Sequence, residues 1–228
     1  ALAWGCGGAK PEAPAEAAPP AAPPTSSLPG EWAVAPPSKV EFVAVKDGDK
    51  KVPGAFPGVR GRISADPGRL GATRGWFEVD LSTLDTGLPP RDANIVGTFF
   101  DVATGTFGVA RFAFDSVEPA SPSLDVGGTV EALARGRLTL HGTERPLDAR
   151  LTVERPDEGT LRVRTAAPFE VDGGSFGMEP QRLALVKLCG HADLSSKFPT
   201  TLDLVLHPAA APAPVAGAPP GEGGAPPP

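Results

Sequence analysis

Residues 70–115 read LGATRGWFEVDLSTLDTGLPPRDANIVGTFFDVATGTFGVARFAFD, and this stretch decides the fold. Side chains of a strand alternate between two faces. That alternation puts Phe77, Val79 and Leu81 on one face and Trp76, Glu78 and Asp80 on the other. A turn carrying Arg91 and Asp92 follows, and Arg91 to Phe100 reads as a short helical or irregular excursion. A second strand over Phe107 to Asp115 sets Phe112 and Phe114 against Arg111, Ala113 and Asp115.

The pattern continues on both sides. Residues 31–45 read as a strand, a corner at Pro36-Pro37 and a second strand containing Val40 and Phe42. Residues 52–64 carry Gly54, Gly58 and Gly61, which suggests one strand, bent or bulged. Downstream, Glu118–Gly128 is a loop, and Thr129–His141 is a strand with Leu138 and Leu140 opposite Arg137, Thr139 and His141. Gly142 to Pro146 reads as a tight turn. In the next strand Leu147, Ala149, Leu151 and Val153 alternate with Asp148, Arg150, Thr152 and Glu154. Leu161–Phe169, with Val163, returns the chain. Residues 182–198 read as a strand with an inserted loop or a helical turn, and Thr200–His207 closes the domain. About eight to ten short strands without a long helix predict a sandwich or a barrel, and periodicity leaves that choice open.

The 228 residues include 28 Gly and 29 Pro, with the excess concentrated at the two ends. Residues 7–30 and 208–228 offer too little large apolar surface to offset chain entropy, so both are expected to be disordered around one domain at 31–207. The formal net charge of −6 argues against a nucleic-acid partner, which would favour a basic stripe. Nothing approaches the ~20 consecutive apolar residues of a membrane-spanning helix. The start, Ala1-Leu2-Ala3-Trp4-Gly5-Cys6 before a Gly/Ala/Pro-rich stretch, resembles a bacterial lipoprotein processing site, although Ala3 stands where Leu is usual. The resemblance implies acylation of Cys6, a membrane anchor and a Pro-rich spacer. The plainer reading is a signal-peptide remnant with an incidental cysteine, and both imply export to the periplasm or cell surface.

Thr83-Leu84-Asp85-Thr86-Gly87, then Arg91-Asp92, then Phe99-Phe100-Asp101-Val102, resembles the central signature of the YceI-like family of periplasmic lipid-binding proteins. Thr83 stands where that family has Ser, and Leu84 where it has Ile. Leu138-Thr139-Leu140-His141-Gly142 followed by Pro146-Leu147 is similar to the family's hairpin, with Glu144 in place of the usual Thr. The resemblance covers residues 31 to about 178. It implies an all-β, antiparallel, lipocalin-like barrel of about eight strands with one short helix, holding a polyisoprenoid or quinone-like lipid. Whether two barrels pair as a homodimer stays open.

Residues that might carry chemistry offer little. A hydrolytic site needs a nucleophile, a base and an orienting acid. His141, His191 and His207 are the only histidines, and none neighbours a nucleophile motif. Cys189-Gly190-His191 has weak metal-ligand spacing, and Cys189 reads as a buried, inert thiol. Arg91 and Asp92 read as a charged pair fixing a loop. The sequence therefore predicts neither an enzyme, a metal site nor a cofactor. What remains is an apolar set: Phe42, Phe77, Val79, Phe99, Phe112, Phe114, Leu138, Leu140, Leu151 and Val163. A filled core and a cavity wall both demand such residues on the inner parity. The family resemblance implies the cavity wall.

Overall fold

The structure, a computed structural model, describes residues 30–105 and 107–209. Cys6 and the two Pro/Ala-rich ends lie outside the described residues. Ten strands run in chain order: β1 (Gly30–Lys46), β2 (Lys50–Phe56), β3 (Val59–Ala65), β4 (Arg74–Asp80), β5 (Val109–Pro119), β6 (Thr129–Leu140), β7 (Thr143–Asp157), β8 (Thr160–Thr165), β9 (Phe169–Asp172) and β10 (Lys197–Pro208). Their order is β2-β1-β3-β4-β5-β6-β7-β8-β10-β9, and β1 also pairs with β10. That last pairing closes eight strands into an antiparallel barrel and leaves β2 and β9 as extensions.

β1 makes closure possible because it is long. Its start, Gly30–Ala33, pairs with β3, while Val40–Lys46 pairs with β2 along the same edge. The opposite edge pairs with β10 from Trp32↔Pro208 to Phe42↔Thr200. Pro36-Pro37 does not turn a corner. The strand runs through it with a register shift between Ala35 and Lys39, a bulge that tolerates residues lacking an N–H. Residues 52–64, expected to be one bent strand, are two strands meeting at Pro57-Gly58. The turn expected over Gly142–Pro146 is tighter. Leu140 pairs with Thr143, leaving His141 and Gly142 as a two-residue loop with φ of 49° and 70°. Positive φ at both positions is what a type I′ hairpin turn requires.

Two glycines leave room for the strand beside them. A Cβ at Gly54 would lie 2.5 Å from Cζ of Phe42, its cross-strand partner, so the ring fills the space a second side chain would need. A Cβ at Gly61 would lie 2.6 Å from the Trp76 carbonyl oxygen and 2.9 Å from Cα of Phe77, so there the bare backbone admits the β4 backbone itself.

One end of the barrel is packed shut. Trp32, Ile63, Leu70, Leu124, Val130, Leu161 and Leu206 form a buried cluster there. The Trp32 indole N–H donates to the Ala65 carbonyl at 3.2 Å. The other end is covered by helix α1 (Pro89–Asn94), a π-helical turn (Ile95–Phe99) and helix α2 (Glu179–Cys189). Pro89 and Pro90 open α1, where a missing N–H costs nothing. Pro180 sits in the first turn of α2, and Gly190 at φ 67° ends it. Among the described residues the barrel thus carries two α-helices where the resemblance implies one, and α2 takes residues 182–189 of the segment read as a strand with an inserted loop or a helical turn.

Candidate functional site

Between the barrel and its helical cap lies a cavity of about 140 Å³. The barrel strands supply Val40, Phe42, Ala44, Phe56, Val79, Leu140, Val171, Phe198 and Thr200. The cap and its connections supply Ile95, Phe99, Phe100, Gly173, Met178, Leu185 and Leu194. Thr200 is the sole polar side chain of the wall, and its hydroxyl is already spent on the Phe198 carbonyl at 2.8 Å. A void of this size without polar partners is expected to stay dry and to accept an apolar guest.

Five phenylalanines form a closed collar around it. Centroid separations run 5.4 Å for Phe42–Phe56, 5.8 Å for Phe56–Phe100 and 5.1 Å for Phe100–Phe99. The circuit continues with 5.7 Å for Phe99–Phe198 and returns with 6.4 Å for Phe198–Phe42. Four of the five contacts are edge-to-face or nearly so, the geometry that ring quadrupoles favour. The collar draws on β1, β2, the π-helical turn, the residue after that turn and β10, so it links the wall to the cap.

Polar clasps hold the cap down at its margins. Arg91 and Asp92 converge on Thr86. Arg91 donates to the Thr86 hydroxyl at 2.7 Å and carbonyl at 2.6 Å, while Asp92 Oδ1 accepts from the Thr86 amide at 3.1 Å and from its hydroxyl. The pair therefore fixes the loop, as its sequence suggests, through a shared partner. A second clasp joins the β1–β2 turn to the loop after α2. Asp47 Oδ1 accepts from the Ala192 amide at 2.9 Å, and Gly48 N donates to Asp193 Oδ1 at 2.9 Å. His191 lies 3.2 Å from the Lys46 ammonium and 3.6 Å from the Asp47 carboxylate. The Ala192 amide, aided by His191 and Lys50, holds the Asp47 carboxyl below its ordinary pKa against some desolvation. Arg182 of α2 donates to the Leu194 carbonyl at 2.6 Å and pairs with Glu179.

The structure divides the apolar set predicted from sequence. Phe42, Val79, Phe99 and Leu140 line the cavity. Phe77, Phe112, Phe114, Leu151 and Val163 surround a separate void of about 20 Å³ deeper in the barrel, room for roughly one water. Leu138 lines neither and packs against the core. The other twelve of the sixteen wall residues lie outside the set predicted from sequence. Val40 and Ala44 share the parity of Phe42 on β1 and were legible in principle. Leu185 and Leu194 lie in the segment that reads as a strand with an inserted loop or a helical turn, and Met178 caps the helix that begins just before it.

The remaining singled-out residues have structural partners. The His141 ring lies 4.0 Å from that of Phe107, and His207 faces the Gly159 carbonyl at 3.0 Å. Cys189 packs against the core while His191 joins the clasp at Lys46 and Asp47. Among the described residues, no group of three or more His, Cys, Asp or Glu is placed to hold a metal.

A closed antiparallel barrel, packed at one end and hollow beneath a helical cap at the other, is a lipocalin-like barrel. The family model for the YceI-like domain matches residues 32–203, and the chain belongs to that family. Solved structures share the fold. A polyisoprenoid binding domain from Saccharophagus degradans implicated in plant cell wall breakdown is similar at 21% identity and TM-score 0.66, covering 78% of this chain and 98% of that one. BcnA from Burkholderia cenocepacia follows at 19% identity and TM-score 0.57, covering 74% and 95%. A YCEI protein of Campylobacter jejuni follows at 14% identity and TM-score 0.51, covering 71% and 87%. No curated protein sequence matches. At these identities the likeness shows the fold.

Proposed function

We propose that this chain is an exported lipid-binding protein that takes the apolar end of an isoprenoid or quinone-like lipid under its helical cap, for carriage or storage. The observation that carries the reading is the cavity ringed by five phenylalanines, whose one polar side chain is already bonded. Such a wall recognises hydrocarbon by burial alone. One five-carbon isoprene unit fully buried contributes on the order of 3 kcal/mol before ordering costs, so few polar contacts are needed. The polyisoprenoid binding domain among the structural neighbours supports this choice of guest. Phe42, Val79, Phe99 and Leu140 act as direct wall, joined by Val40, Phe56, Phe100 and Phe198. Cys6 is the proposed acylation site that tethers the barrel to a membrane through the Pro-rich spacer.

The test is organic extraction and mass spectrometry of the full chain purified from a bacterial host, followed by uptake of a labelled prenyl lipid. Copurified or exchangeable isoprenoid is the expected result. Protein that emerges lipid-free and takes up none is instead a structural lipoprotein, the reading favoured by the packed lower half of the barrel. Metabolic labelling with palmitate tests the anchor separately: the label should appear on the wild type and vanish from Cys6→Ala.

A further inference from the structure

The cavity has a floor, and the floor belongs to this chain's own aromatic residues. On β4, Val79 lines the upper cavity and Phe77, two positions along on the same face, lines the deeper void. The same step separates Thr200 from Leu202 on β10, and Val171 from Phe169 on β9. Two residues of strand advance about 7 Å. The two spaces are therefore stacked along the barrel, and no residue lines both. In the wall of the deeper void Phe77, Phe112 and Phe114 touch in every pairing, at 5.5 Å for Phe77–Phe112, 5.1 Å for Phe112–Phe114 and 6.3 Å for Phe77–Phe114 between centroids.

The Phe112 ring is seated on bare backbone. A Cβ at Gly136 would lie 2.5 Å from Cζ of Phe112, while Gly61 lets β3 lie close to the backbone and Cβ of Phe77. Phe77 and Phe112 are buried, so neither swings outward at low cost. What remains below them has room for one water rather than a chain.

We infer that this aromatic septum limits the guest to a short apolar end, one to two isoprene units or a single six-membered ring, with the rest of the lipid outside. The volume sets the scale: about 140 Å³ is close to the dry cavity of about 150 Å³ that accepts one benzene. The inference rests on the lipid-binding reading and adds its length limit. A barrel open from cap to base would gain affinity with every added unit. This one stops gaining once the guest reaches Phe77.

The test is a series of prenyl alcohols of one, two, three and four isoprene units, titrated against the full chain. Wild-type affinity is expected to rise from one to two units and then change less than about threefold per unit. Phe112→Ala removes the septum and is expected to restore a gain of about tenfold or more per unit. Phe112→Leu is the milder variant if the alanine form fails to fold. Val79→Phe fills the upper cavity and is expected to weaken every length at least tenfold. A wild-type affinity that climbs about tenfold with each unit through four overturns the septum and leaves lipid binding standing. An absence of binding at every length overturns the lipid-binding reading and the septum with it.

Discussion

Replacing Gly136 with alanine tests whether the glycines of this barrel are seats for rings. The added Cβ would overlap the carbonyl oxygen of Ala113 and lie 2.5 Å from Cζ and 2.9 Å from Cε1 of Phe112. The ring can rotate a little, but the Ala113 carbonyl belongs to the β5–β6 ladder and retreats only by stretching it. Overpacking of this kind costs about 1–3 kcal/mol. Against it stands the gain of about 0.4–1 kcal/mol from a less flexible unfolded chain. The net expectation is a loss of about 1–2 kcal/mol. Gly97 supplies the control. It lies in the π-helical turn with no atom within 4 Å of an added Cβ, and its φ is not left-handed. There the same substitution should gain about 0.5 kcal/mol. With a urea slope of about 2 kcal/mol/M, Gly136→Ala lowers the midpoint by about 0.5–1 M and Gly97→Ala raises it slightly. Midpoints that move together, or a Gly136→Ala midpoint no lower than wild type, would refute the account.

Leu204→Ala removes one of the most buried side chains, at 1% exposure, and should cost about 2–5 kcal/mol in denaturant unfolding. Asp203 receives a two-pronged bond from Arg162 at 3.0 Å and 2.6 Å across β10 and β8, and that fork holds its carboxyl below the ordinary pKa. A depressed folded pKa contributes stability above the unfolded value, near pH 4, and loses it as pH falls through the folded one. Asp203→Asn should therefore cost about 1 kcal/mol or less at pH 7, since the guanidinium is partly exposed, and the gap to wild type should close below about pH 4. Asp92→Ala strips the Thr86 amide and hydroxyl of their acceptor. Hydrogen exchange should quicken across residues 86–100, by about 1–2 kcal/mol of local opening, while amides of β6 and β7 keep their protection.

What was legible in the sequence followed strand parity. Phe77, Val79 and Leu81, and Leu147, Ala149 and Leu151, point inward as alternation requires. Parity states only which side a residue faces, so it does not separate Val79, which lines the cavity, from Phe77, which closes its floor. Three features stayed illegible for physical reasons. Gly54 and Gly61 signal a bend in the sequence, yet Gly54 answers to the Phe42 ring and Gly61 to the β4 backbone, neighbours that only the sheet register brings beside them. Pro57-Gly58 ends one strand and starts another within a span that reads as continuous. Helix α2 has no clean 3.6-residue stripe, since Leu183 and Leu188 face outward while Leu185 faces the core. Its wall residue Leu185 stays hidden with it, as does Met178 at its N-cap. Arg91 and Asp92 were read as a loop-fixing pair, and Thr86, their common partner, became visible only in three dimensions.

The seam between the first strand and the last constrains how this molecule is made. Along Trp32–Phe42 the partner is the stretch Thr200–Pro208, nearly the whole domain away. A chain emerging in order holds a long open edge until its final strand arrives, and exposed edges invite pairing with other chains. A product cut short before β10 would therefore be an aggregation-prone open sheet, so the last strand acts as the zip of the whole assembly.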